Sequence, residues 1–184
     1  MMAEPQSTVV PADALASITQ WFVSLHTDGI VAEPANRPER ATARGSMQVM
    51  DAPAIQESVH RISSAPDLFG IISESTECSD ALPWIVLLNS GAAHRIGPGR
   101  LHVQLARDMS AQGYPCIRMD IGGLGDSPAD PGREENDTYA STAFRDTALV
   151  CDYLQKLQPQ RRIVLMGLCS GAYTAFQCAA QLPH

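Results

Sequence analysis

The sequence predicts an α/β fold, a doubly wound and mostly parallel sheet, and three observations carry that expectation. Short apolar runs at Trp84–Leu88, Cys116–Met119 and Ile163–Met166 read as strands buried on both faces, because their hydrophobicity is continuous rather than alternating. Segments with helical periodicity follow them, giving strand, helix, strand, helix, strand, helix. Each of these strands also runs directly into a loop rich in glycine and small residues.

The chain has 184 residues, enough for one compact domain and too few for two. With 45% hydrophobic and 18% charged residues it sits in the globular range, which excludes disorder throughout and fibrous repeats. The formal net charge is −7 with Lys and Arg scattered, so neither nucleic acid nor an anionic membrane surface finds an electrostatic footprint. Cys78, Cys116, Cys151, Cys169 and Cys178 stand singly, with no Cys-x-x-Cys pair and no metal-ligand spacing. Neither metal nor cofactor is therefore expected, and the thiols read as reduced ones of a cytoplasmic protein. No basic leader precedes an apolar stretch at the start, and the run Trp84–Leu88 is far short of the roughly 20 residues that span a bilayer.

In chain order, Leu15, Ile18, Trp21, Phe22 and Leu25 recur at helical spacing and predict an amphipathic helix over Pro11–Leu25. So short a helix cannot bury its own stripe; it docks on the following domain, dimerises, or is the remnant of a preceding unit. Pro34, Pro38, Pro53 and Pro66 interrupt any period from His26 to Pro66, which reads as a linker with one short strand around Ala54–Ile62. Residues 1–66 are thus a helix plus a Pro-rich linker, and residues 67–184 form the domain.

Leu68–Ser73 opens that domain as a strand, followed by Trp84–Leu88 and the loop Asn89-Ser90-Gly91. Leu101, Leu105 and Met109 place a helix over Gly99–Gln112, with Gly113 just past its end. After Cys116–Met119, the run Asp120-Ile121-Gly122-Gly123-Leu124-Gly125-Asp126-Ser127-Pro128 is too glycine-rich for regular structure. Asp137 is a candidate N-cap for a helix over Thr138–Leu157 that Pro159 stops. Ile163–Met166 is the next strand. A helix over Ser170–Leu182 follows, with Ala172, Ala175, Phe176, Ala179 and Leu182 on its inner side.

Chemistry concentrates where the last strand meets the last helix, at Gly167-Leu168-Cys169-Ser170-Gly171. A Gly-x-Cys-x-Gly turn there holds its central side chain above the sheet edge, and the flanking glycines let strand and helix close around it. The helix beyond directs its first N–H groups and positive dipole end at that side chain, which favours negative charge there. At these residues the sequence resembles the α/β-hydrolase family, with cysteine at the nucleophile elbow where serine is usual.

Two upstream loops extend the resemblance over roughly Leu68 to the C-terminus. Asn89-Ser90-Gly91-Ala92-Ala93-His94 stands where the family places an oxyanion loop, and Asp120 to Ser127 matches the family's Asp-x-x-Gly-x-Gly-x-Ser loop. The resemblance implies an α/β-hydrolase sheet that stops after the elbow helix, with Cys169 as nucleophile and the backbone N–H groups of Ala92 and Ser170 as oxyanion donors. The elbow, with the run His94-Arg95-x-Gly97-Pro98-x-Arg100, resembles the serine-aminopeptidase-like branch, including hydrolases associated with exosortase systems. The expected partner is a small-molecule acyl substrate, and His94 and Arg95 are candidates to bind a carboxylate on it. Cysteine elbows are also familiar from dienelactone hydrolase and polyhydroxyalkanoate synthase relatives. Both hydrolysis of an ester, thioester or amide and acyl transfer therefore stay open, each through a thioester.

Plainer readings stand beside these. Cys169 would be a small thiol in an inert scaffold. The Ser170 hydroxyl reads as a helix-start cap, and His94, Arg95 and Arg100 as makers of loop hydrogen bonds. Asp120 braces the glycine loop. The Trp21 and Phe22 stripe is a packing face, and the other four cysteines are structural.

The family's acid and histidine follow its nucleophile, yet only 15 residues follow Cys169, without Asp or Glu. Their one histidine, His184, stands at the far end of a helix that separates its ends by about 20 Å. The sequence thus resembles the N-terminal part of a hydrolase domain: a fragment, one half of a split enzyme whose partner chain supplies the missing strands, or a shortened scaffold kept for binding. Little turnover is expected from it alone. A non-catalytic interaction protein, binding through the first helix and the open sheet edge, is the rival from another class. A dinucleotide-binding domain fits less well, because Gly122, Gly123 and Gly125 lead into Pro128 rather than into a helix.

Overall fold

The alternation inside the shortest strands already dictates a layered structure. Trp84, Val86 and Leu88 turn to one core and Ile85 and Leu87 to another, and all five are buried. A strand buried on both faces needs a layer of helices on each side. The computed structural model describes residues 12–24, 43–47, 54–78 and 81–181, and it supplies both layers.

Six strands form one sheet: β1 (Ala43–Met47), β2 (Ile55–Ser64), β3 (Asp67–Ser75), β4 (Trp84–Leu87), β5 (Cys116–Met119) and β6 (Ile163–Met166). Their spatial order is β1-β2-β3-β5-β4-β6. Helices α1 (Ala12–Ser24) and α2 (Leu101–Ala111) cover one face, whereas α3 (Ala143–Leu157) and α4 (Ser170–Gln181) lie on the other. β5, β4 and β6 pair in parallel, as crossover helices require. β1, β2 and β3 pair antiparallel, and β3 joins β5 antiparallel. A two-residue turn between β2 and β3 leaves room for a hairpin and none for a helix. The strand read around Ala54–Ile62 therefore belongs to the same sheet as β3, across the turn at Ala65-Pro66. β1 lies within the stretch read as linker; its Ala-Arg-Gly-Ser-Met has no alternation to announce a strand, and only pairing with β2 makes it one.

α1 docks on the sheet. Phe22 is 3% exposed, and its ring meets Tyr114 edge-on with centroids 5.8 Å apart. The Tyr114 hydroxyl donates to the Phe22 carbonyl at 3.2 Å. Phe22→Ala is expected to cost about 3 kcal/mol, read as a lower urea midpoint with α1 released from the sheet.

Two helix starts and one helix face differ from what the sequence predicts. α2 begins at Leu101, because Gly99 (φ 55°) and Arg100 (φ 65°) are left-handed and shape a separate 3-10 turn over Pro98–Arg100. α3 begins at Ala143; the Asp137 carboxylate accepts the Tyr139 N–H at 3.1 Å, which closes a local turn instead of starting a helix. On α4 the buried positions are Ser170, Gly171 and Cys178, whereas Phe176, expected inside, is 72% exposed. Ala172 and Ala179, also expected inside, are exposed too, and Leu182 lies outside the described residues; the close approach of Gly171 to the Leu88 and Asn89 carbonyls turns a different side of α4 to the sheet.

Beneath the loop after β4, His102 of α2 is buried, and its Nδ1 has no hydrogen-bond partner among the described residues. Burial, helped by the charge of Arg118, pushes its pKa from 6.5 down to about 4. In this window the unfolded chain binds a proton that the folded one refuses. Stability is therefore complete above pH 6.5 and falls as the pH drops toward 4. Urea midpoints over that range should show a loss up to about 3 kcal/mol larger than in His102→Gln.

Candidate active site

The connections decide where a site can form. β4 leads through α2 to β5 on one side, and β5 returns through α3 to β6 on the other, with β4 between them. The chain thus changes direction at β4, and the loops leaving the C-terminal ends of β4, β5 and β6 frame a crevice. These are the loop at 89–94, an oxyanion loop by resemblance only, the glycine loop and the elbow.

At the elbow, Cys169 has φ 57°, a left-handed conformation that costs a non-glycine residue about 1–2 kcal/mol. Its two flanking glycines make that strain sustainable. A Cβ on Gly167 would overlap the Gly171 backbone, and one on Gly171 would sit 2.6 Å from the Asn89 carbonyl oxygen. β6, α4 and the end of β4 consequently touch backbone to backbone. The Cys169 thiol is free and exposed, and Leu168 beside it is 50% exposed.

The Ser170 hydroxyl does not cap its own helix. It is buried and accepts the Gly91 N–H at 2.9 Å, which joins the elbow to the oxyanion loop. Within that loop the Ala93 N–H donates to the Ser90 carbonyl at 3.1 Å, closing a turn around Gly91 and Ala92. Ala92 itself is exposed. Asn89, also buried, donates from Nδ2 to the Ala93 carbonyl and to Asp120 Oδ1, both at 3.1 Å, while its Oδ1 accepts the Ile121 N–H at 2.9 Å. One amide side chain thereby fixes the ends of two loops. Between elbow and oxyanion loop the packing leaves a cavity of about 10 Å³, room for about one water.

Asp120 is the hub of the glycine loop. Fully buried, it accepts the Arg95 N–H at 2.6 Å and pairs with the Arg95 guanidinium. Ser127 Oγ donates to the Asp120 carbonyl at 2.8 Å and accepts the Phe69 N–H at 2.9 Å, anchoring the loop to β3. From α3, buried Asp146 accepts the Gly122 N–H at 2.9 Å. Asn89 and Asp146 carry no local signal in the sequence, because each meets its partners across a long separation. Arg95 directs both of its charged contacts to loop carboxylates, Asp120 and Asp126. His94 is exposed beside Gly125.

The structure thus fastens Ser170, the neighbour of Cys169, to the loop at 89–94. Between Ser170 and Gln181 the described chain contains no Asp, Glu or His, and His184 lies outside the described residues. Among the described residues no helix is long and apolar enough to cross a membrane.

Comparison with known proteins agrees with this layout. A family model described as serine aminopeptidase, S33 matches residues 83–184. A PEG-bound cold-adapted esterase from an Arctic intertidal metagenomic library superposes with a TM-score of 0.57 at 16% identity, covering 74% of this chain and 59% of that one. An α/β serine hydrolase without a lid from Xanthomonas campestris gives 0.48 at 16% identity over 79% of this chain and 59% of its own. A serine hydrolase homologue from Coxiella burnetii gives 0.47 at 16% identity over 79% and 61%. The chain spans less than two thirds of each of these structures, and the first of them shows the shared fold. No curated protein sequence matches the chain.

Proposed function

The chain belongs to the serine aminopeptidase S33 family, and from that premise we propose that it carries the nucleophile and oxyanion parts of a cytoplasmic acyl-processing site. Cys169 attacks the carbonyl of an ester, thioester or amide. The new S–C bond pushes the carbonyl electrons onto oxygen, where the Ala92 and Ser170 N–H groups receive the negative charge. Collapse of this intermediate expels the leaving group, and the thiol proton passes to solvent or a base. The acyl group then leaves to water or to another acceptor, both open to this scaffold. The observation that carries the reading is Cys169 held at φ 57° between two glycines, with the oxyanion loop tied to the next residue.

Complete turnover also requires a general base and acid, which contribute about 10² to 10⁴ in rate. We assign these to a partner chain or further segment bearing the rest of the sheet; exposed His94 stays as a substrate contact, whereas the Arg95 guanidinium is taken by Asp120 and Asp126. Incubation with p-nitrophenyl acetate tests the nucleophile. One acetyl adduct, mapped to the peptide containing Cys169, is the expected product, and labelling at another thiol overturns the assignment.

A non-catalytic second reading draws on the edge of the sheet. β6 pairs with β4 on one side and has no strand on the other among the described residues. Beside it lies an apolar groove of about 440 Å³ lined by Trp21, Phe22, Val164, Met166, Ala172 and Ala175. Such an edge attracts another chain. Light scattering that reports a monomer at every concentration counts against that reading.

A further inference from the structure

We infer that the Ser170 hydroxyl is a positioning group that selects the Ala92 amide as the oxyanion donor of the loop; this rests on the Cys169 nucleophile proposed above. The turn closed by the Ala93 N–H and the Ser90 carbonyl has two central amides, Gly91 and Ala92, which it does not use internally. Either one could in principle serve an oxyanion. Ser170 Oγ takes the Gly91 N–H at 2.9 Å from a buried position. The Ala92 N–H donates to no described residue, and Ala92 is exposed. Asn89 holds the far side of the turn through the Ala93 carbonyl. The free amide is thus pinned on both flanks.

Position makes the latch useful. Ser170 follows the nucleophile directly, so the loop is fastened to the same turn that presents the thiol. Any displacement of the elbow carries the donor with it, and the separation between attacking sulfur and oxyanion site stays constant. Without the hydroxyl, Gly91 regains a free N–H, the turn loses its tie to the elbow, and Ala92 is no longer the single available donor. A donor lost from such a site costs about 10² to 10³ in rate; one that is misaimed should cost less.

Two reactions of the same thiol separate this role from a general loss of structure. Acylation by p-nitrophenyl acetate passes through an oxyanion, whereas alkylation by iodoacetamide displaces iodide at a tetrahedral carbon and forms none. In Ser170→Ala the ratio of acylation to alkylation rates at Cys169, followed by intact mass, is expected to fall about 10- to 100-fold. Ser170→Thr, which keeps the hydroxyl, should restore most of it. Amide hydrogen exchange supplies a readout independent of reactivity: in the wild type Gly91 is protected and Ala92 is not, and Ser170→Ala removes the protection of Gly91.

An unchanged ratio in Ser170→Ala overturns the role while leaving the nucleophile assignment intact. Failure of wild type to form any adduct at Cys169 overturns both. If Ser170→Ala does not fold, equal exchange at Gly91 and Ala92 in the wild type is enough to reject the latch.

Discussion

Cys169→Ala is expected to abolish the acetyl adduct formed with p-nitrophenyl acetate, while Cys78, Cys116, Cys151 and Cys178 remain unlabelled. Cys116 and Cys178 are buried, and burial raises the Cys116 thiol far above its ordinary range and Cys151 to about 11. A thiol held protonated is a poor nucleophile. Cys169 is exposed and stands where a helix begins. Cys169→Ser should acylate at least about 100-fold more slowly, because a hydroxyl needs a base that a thiol can partly do without. Cys169→Gly should be equally unreactive yet more stable than the wild type by about 1 kcal/mol, since it relieves a left-handed residue at a smaller cost in unfolded-chain entropy. Loss of reactivity combined with a gain in stability would mark the strain as serving presentation of the side chain rather than the fold. Urea midpoints of the glycine variant check that half.

Gly167→Ala is expected to have the largest effect on stability, about 3 kcal/mol or more, and to slow acylation of Cys169 in whatever protein still folds. The added methyl meets the Gly171 backbone and the Ala172 amide, so no side chain can rotate out of its way. Strand and helix must separate, which removes the elbow geometry along with its packing. Gly132→Ala is the comparison. Gly132 has φ 80° with open space around it, so alanine there meets only backbone strain and should cost about 1 kcal/mol. Equal losses at the two sites would mean that close packing at the elbow does not contribute.

Much of this layout is written locally in the sequence. The runs Trp84–Leu88, Cys116–Met119 and Ile163–Met166 end within one residue of β4, β5 and β6, yet only β4 is apolar and buried throughout: β5 buries Arg118 against Glu57, and β6, at the edge of the described sheet, is half-buried. The elbow was legible because glycine on both sides of Cys169 is a steric demand of the turn itself. Signals that depend on distant partners were not legible. Asp120 is legible as the brace of its own loop, but its bond to Asn89, which spans 31 positions, is not. Phe176 satisfies the helical period of α4, yet faces outward because Gly171 and Ser170 bring that helix against the β4 backbone.

The sequence by itself determined the α/β class, the succession of strands and helices from β3 onward, and the residue at the apex of the elbow, since periodicity and glycine spacing act over a few neighbouring residues. Tertiary structure alone decided that β1, β2 and β3 join the sheet antiparallel, that α1 docks through Phe22, and that the Ser170 hydroxyl holds Gly91. Those outcomes depend on which surfaces and hydrogen-bonding groups meet after the chain has folded back on itself, across separations as long as the 79 residues between Gly91 and Ser170.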